Sequence, residues 1–134
     1  MGATIRIRLT AEETGGAYSV IEMIVPAHFP VAPLHYHEGF AERFVVLDGE
    51  LEVELDGVKH KLGVNASAVA ERRIQHSIRN AGAAPAHFLI VATPGGHEKF
   101  FYELIDWMNR EPQWPPEDRK RMLEFGERHD SHYV

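Results

Sequence analysis

Between Asp48-Gly49 and Asp56-Gly57 the chain alternates without a break, with Leu51, Val53 and Leu55 set against Glu50, Glu52, Glu54 and Asp56. Apolar residues at every second position put one face of a strand in a core and the other in water, and an Asp-Gly pair makes a tight turn. Such a strand needs hydrogen-bonded neighbours and a second layer over its apolar face. The first two-thirds of the chain supplies them. Thr4–Leu9 alternates Ile5, Ile7 and Leu9 with Arg6 and Arg8. Residues 18–25, 58–62, 66–70, 75–80 and 86–92 read as further short strands, with turns such as Gly15-Gly16 between them. Pro26, Pro30 and Pro33 punctuate a loop that leads into a strand at 35–37. Residues 44–47 are apolar on both faces, the pattern of a strand buried between two layers. Short strands at near-regular spacing predict an antiparallel sandwich or barrel.

The period changes after Pro94-Gly95-Gly96. Phe100, Phe101, Leu104, Ile105 and Met108 recur at helical spacing over residues 97–109. Pro112 and Pro115 interrupt the chain, and residues 116–128 read as a second helix with Met122, Leu123 and Phe125 on its apolar side. These residues are too few for a second domain. The expectation is one domain over residues 1–134, with strands from about 4 to 95 and helices from about 97 to 128 packed outside or at one end. Trp107 and Trp114 carry more aromatic surface than a solvated appendage needs. They pack on their own strands or meet a second copy of the chain. An N-terminal edge strand would also pair with a second copy, and a homodimer is expected.

Composition closes several routes. The formal net charge is −6, from 20 acidic and 14 basic residues. No basic patch is present to neutralise phosphates, so neither nucleic acid nor an anionic membrane is an expected partner. There is no cysteine, so disulfides and thiolate ligands are excluded and any metal must use nitrogen and oxygen donors. Arg6 and Arg8 interrupt any apolar leader, and no apolar run approaches a membrane span. A cytoplasmic protein is the default expectation.

The chemistry concentrates in His35-Tyr36-His37. Two histidines at i and i+2 share one face of a strand, close enough for one ion to reach both. With nine histidines in the chain, one His-x-His arises about 0.6 times by chance, so the pair alone is weak. Adding Glu42 and Gly49 at their spacing lowers the expectation to roughly 0.005, and His76 four residues before Asn80 lowers it further. Glu42 is placed to open the adjacent antiparallel strand, sharing a face with Phe44 and Val46. A buried carboxylate beside imidazoles is costly, and a divalent cation removes that cost. The other histidines read more plainly. His60 is solvated between lysines, His87 is a satisfied sheet residue, and His129 and His132 belong to a mobile tail. His28 and His97 flank the mouth and are candidates for a proton shuttle. Asn80 reads as a turn or supporting residue.

At this point the residues resemble a family. His35-x-His37-x4-Glu42-x6-Gly49 is similar to the first motif of the cupin superfamily, and Gly63 through His76-x3-Asn80 resembles the second. The resemblance implies a small all-β, antiparallel jelly-roll β-barrel with a short C-terminal helical extension, and His35, His37, Glu42 and His76 as metal ligands inside it. The segment from Pro94 to Phe101 looks like the tail of small single-domain cupins grouped with the quercetin dioxygenases. Two positions depart from the pattern. Phe29 stands where the family has a glycine. The stretch Ala70-Glu71-Arg72-Arg73-Ile74-Gln75 replaces a Pro-x-Gly turn, so the turn is wider and Arg72 or Arg73 projects over the site or into solvent.

Three imidazoles and one carboxylate leave one or two positions open on iron(II), manganese(II), nickel(II) or zinc(II). The expected function is dioxygenase-like oxygenation of a small organic substrate, with Glu42 serving as ligand and as base. The alternatives are redox-neutral isomerase, lyase or decarboxylase chemistry, with the metal as Lewis acid, and a non-catalytic small-molecule-binding module.

Overall fold

The computed structural model describes residues 2–111, 113 and 116–134. These form ten strands and two helices in the order β1 (Thr4–Leu9), β2 (Ser19–Val25), β3 (Pro30–Tyr36), β4 (Ala41–Asp48), β5 (Leu51–Leu55), β6 (Val58–Leu62), β7 (Ser67–Ala70), β8 (His76–Arg79), β9 (Ala86–Thr93), α1 (Glu98–Arg110), α2 (Arg119–Arg128) and β10 (His132–Tyr133). Two five-stranded antiparallel sheets result, ordered β1-β2-β9-β4-β7 and β10-β3-β8-β5-β6. Their inner faces share one core, with Ile21, Phe44, Val46 and Phe88 from the first sheet and Leu51, Val53 and Ile78 from the second. The hairpin β5–β6 keeps the alternation of its sequence, and Asp56 and Gly57 turn it with φ of 49° and 82°. Gly49 has φ +79° and lies so close to the backbone that an added Cβ would fall 2.4 Å from the Pro85 carbonyl oxygen.

The expected jelly-roll barrel does not form. Neither sheet closes on itself, and among the described residues no ladder joins one sheet to the other. Nor is the chain all-β, since α1 and α2 run for 13 and 10 residues. The reason lies at the edges. β1 pairs only with β2, and β10 reaches only residues 35–36 of β3. Helices cover that side instead of backbone hydrogen bonds: α1 packs against β1 and β2, and α2 against β10. The Glu98 carboxylate accepts from the Ala11 N–H at 2.8 Å and from the Ser19 hydroxyl, which ties the start of α1 to the first sheet.

Other expectations shift locally. The strand bearing His35 starts at Pro30 rather than after Pro33. Prolines lack the N–H of a ladder, yet the outer edge of β3 is unpaired over these residues and its register with β8 slips twice, so little is lost. β4 buries one face only, because Leu47 is 40% exposed. The second helix begins at Arg119, where the Asp118 side chain accepts from the Arg121 N–H at 3.1 Å. Trp107 packs on its own chain, against Phe125 at 5.4 Å between ring centroids and under the Arg121 guanidinium. Trp114, Pro112 and Pro115 lie outside the described residues. The tail is no free end: β10 pairs with β3, and the Val134 N–H donates to the Leu34 carbonyl at 3.0 Å.

Candidate metal centre

Four side chains from different elements meet between the sheets. His35 near the end of β3 and His76 at the start of β8 are register partners, with ring centroids 4.2 Å apart. His37 follows β3 and lies 4.8 Å from the His35 ring. Glu42 comes from β4 on the opposite sheet, not from a strand paired with β3. The chain crosses between sheets in residues 37–40, so the i, i+5 spacing spans the sandwich instead of one hairpin. One donor atom from each of the four lies within 4.8 Å of all the others. His35, His37, Glu42 and His76 are only 5, 2, 2 and 1% exposed.

The imidazoles are aimed by the backbone. Nδ1 of His35 donates to the Pro33 carbonyl at 2.7 Å, Nδ1 of His37 to the Asp130 carbonyl at 2.7 Å, and Nδ1 of His76 to the Ile74 carbonyl at 2.8 Å. That places the proton of each neutral ring on Nδ1 and leaves the Nε2 lone pair for the centre. Nε2 of His76 is buried with no hydrogen-bond partner among the described residues. Nε2 of His37 is in close contact with a Glu42 carboxylate oxygen, and Nε2 of His76 stands 3.6 Å from the same oxygen. Lone pairs from three rings and a carboxylate converge where a shared cation would satisfy them all. The buried cluster is therefore capable of chelating a divalent transition metal ion, and it offers only nitrogen and oxygen.

Electrostatics follow from burial. Desolvation, then the neighbouring His76, pushes His35 down to about 3. Desolvation pushes His97 down to about 4 against the pull of Glu42. Burial works to raise Glu42, but His97, His37 and His76 outweigh it and hold the carboxyl well below its ordinary range. The sign for stability is direct. An unfolded imidazole with its pKa near 6.5 binds a proton that the folded His35 and His97 refuse until about 3 and 4. Metal-free protein should therefore lose stability as pH falls below about 6.5, by up to roughly 1.4 kcal/mol per pH unit for each ring. Glu42 adds to the loss below about 4.5. Urea midpoints at pH 7.5, 6 and 5 should fall in that order, and a flat series would contradict buried neutral rings.

The remaining candidates separate. His97, the residue before α1, is buried against His37, Phe40, Phe100 and Phe101, and its Nε2 is 3.9 Å from Glu42. Its Nδ1 has no partner among the described residues. His28 is exposed in the turn before β3 and does not line the cavity. Arg72 and Arg73 both face solvent. The Arg73 side chain pairs with Glu38, while its N–H donates to the His37 carbonyl at 2.7 Å, so the wider turn is anchored to a residue of the centre. Asn80 is a turn residue: its amide donates to the Pro26 and Ala84 carbonyls. His60 is exposed, and His87 pairs with Glu22 at 2.7 Å. Sequence reasoning missed the tail. Asp130 accepts from the Glu38 and Gly39 N–H groups at 2.9 and 2.7 Å, besides receiving His37 on its carbonyl. Bulky His132 and Tyr133 beside Asp130 were the only signal. A cavity of about 780 Å³ opens from the centre, lined by His35, Glu42 and His97 at one end and by apolar residues such as Met23, Phe29, Ile90 and Leu104 beyond.

The fold recurs in known proteins. The model of the Cupin domain family matches residues 21–92, more than half of the chain and all four clustered residues. KdgF from Halomonas sp. superposes with a TM-score of 0.63 at 19% identity, over 73% of this chain and 84% of that one. A predicted oxalate decarboxylase from Thermotoga maritima does so with a TM-score of 0.64 at 26% identity, over 69% and 80%. The cupin domain of an XRE family transcriptional regulator from Enterobacter cloacae gives 0.61 at 22% identity, over 69% and 97%. No curated protein matches the chain. None of these likenesses singles out the quercetin dioxygenase group. The family model runs from β2 through β9, and on that match the chain belongs to the cupin superfamily.

Proposed function

We propose that this chain is a metal-dependent enzyme that oxygenates a small organic substrate held between its sheets, with one divalent transition ion on His35, His37, His76 and Glu42. The observation that carries the proposal is the tautomer set: three backbone-bonded Nδ1 atoms leave three Nε2 atoms turned toward one buried carboxylate. A bound iron, manganese or nickel ion would supply Lewis acidity and an electron source for dioxygen beside the substrate. The chain's own residues do the rest. Phe101 and Ile90 give the cavity apolar walls, and Glu42, held ionised, is placed to take a proton from the substrate. Open positions on such an ion beside the apolar walls of the cavity favour the oxygenase over other chemistries.

Elemental analysis of freshly purified protein tests the ion. Oxygen uptake by iron-loaded protein, screened against enolisable and phenolic compounds, tests the reaction. Glu42→Gln should keep a measurable share of the ion and lower uptake at least a hundredfold; full turnover with metal retained would remove its role as base. One observation favours a redox-neutral reaction instead: His97 is a second buried proton acceptor 3.9 Å from Glu42. Turnover without oxygen consumption would select it. Among the described residues β1 pairs on one side only, with β2, which supports a homodimer, and a monomer mass in light scattering would reject it. No helix among the described residues is long and apolar enough to cross a membrane.

A further inference from the structure

The polar lining gathers mainly at the centre, and Ser77 and Arg79 of β8 are the other polar side chains. His35, Glu42 and His97 stand at the centre, with Ser131 and Tyr133 beside them. Away from it the walls are Met23 and Ile90 of the first sheet, Leu104 and Met108 of α1, and Met122 of α2. Among the described lining residues the one permanent cation is Arg79. Its Nε donates to Glu52 at 3.0 Å and its side chain is 55% exposed, so it is already paired and faces water. A second carboxylate or a phosphate on a ligand would have to be buried with no counter-charge, which is costly. One oxygen head at the centre meets no such obstacle. Three of the wall residues are methionines, whose flexible thioethers fit themselves to a chain better than to one rigid outline. Leu104, Met108 and Met122 lie outside residues 21–92, so this wall is not part of the matched family region.

We propose that the cavity binds an amphiphile with a single oxygen-bearing head at the His35–Glu42–His97 end and an apolar, chain-like body of roughly ten to fifteen atoms along α1 and α2, a size in keeping with its volume. Ligands with a second anionic group along the body, such as long-chain dicarboxylates and sugar phosphates, are excluded. The proposal rests on the metal-centre reading for the head and on the walls alone for the body. Calorimetric titration of zinc-loaded and metal-free protein with butanoate, hexanoate, octanoate and decanoate tests it, with octanedioate and glucose 6-phosphate as the polar probes. Affinity should rise about fourfold per methylene until the cavity is filled, and neither polar probe should bind at millimolar concentration. Leu104→Lys and Met108→Lys, both at half-buried positions, should each weaken decanoate at least tenfold with metal content unchanged. Affinity independent of chain length, or octanedioate or glucose 6-phosphate binding as well as decanoate, overturns the proposal. If zinc binds and the series is flat, the ligand class fails and the metal centre stands. If the series rises in protein that takes up no zinc, the metal centre fails and the apolar body site stands.

Discussion

Replacing His76 with alanine should cut metal content from about one ion per chain to under a tenth after dialysis, and lower zinc affinity at least a hundredfold. His76 is the ring whose inward nitrogen has no other use. Nδ1 is taken by the Ile74 carbonyl, and Nε2 is buried without a partner 3.6 Å from Glu42. Removing it takes one of four donors and leaves His35, His37 and Glu42 as an incomplete set. The metal-free fold should change little, because losing an unpartnered buried nitrogen offsets part of the cost of the cavity left behind. Thermal melts separate the two effects. Zinc at a thousandfold excess over the wild-type Kd should stabilise the wild type by about 4 kcal/mol, and His76→Ala by no more than about 1.4 kcal/mol. A variant that still holds the ion against dialysis would show that His76 is not a ligand.

The second large effect is expected far along the chain from any ligand. Asp130 holds the loop after His37 through two backbone N–H groups, and its carbonyl receives the His37 ring. Partial burial works against its charge, but those N–H groups and His132 keep the carboxyl below its usual range. Its backbone sits at φ 57°, where alanine is disfavoured. Asp130→Ala therefore removes the clamp and strains the segment that aims His37, and should weaken zinc binding 10- to 100-fold, as loss of an outer hydrogen-bond partner does. Gly126→Ala reaches the same segment from the other side. A Cβ there would fall 2.3 Å from the Ser131 carbonyl oxygen and 2.6 Å from the Tyr133 ring. Chelator competition should show both variants weakened with all four candidate ligands present. Wild-type affinity in both would mean that the tail does not position His37.

These residues mark how far the sequence could be followed. The alternation of residues 50–56 shows a half-buried strand because side-chain direction is a local property, and the observed β5 keeps it. The spacing of His35, His37 and Glu42 shows that they can meet for the same reason. Pairing partners are not local. Nothing in residues 37–42 distinguishes a hairpin, which would put Glu42 beside the histidines, from a crossover to the opposite sheet, which is what forms. Closure is decided at edges far apart in sequence, and here the apolar side chains of α1 and α2 cover an opening that a barrel would have closed with hydrogen bonds. The tail was unreadable because each of these attachments has a backbone group on at least one side: the Asp130 carbonyl, the Glu38 and Gly39 N–H groups that meet the Asp130 carboxylate, and the Val134 N–H. Backbone groups leave no compositional trace.

That crossover gives the centre a second character. Its imidazoles stand on one sheet and its carboxylate on the other, and the same two sheets wall the cavity. An ion on these four residues would act as a spacer between two plates. Its radius would then set the width of the slot as well as the chemistry at its floor, so exchanging one metal for another should alter which molecules fit.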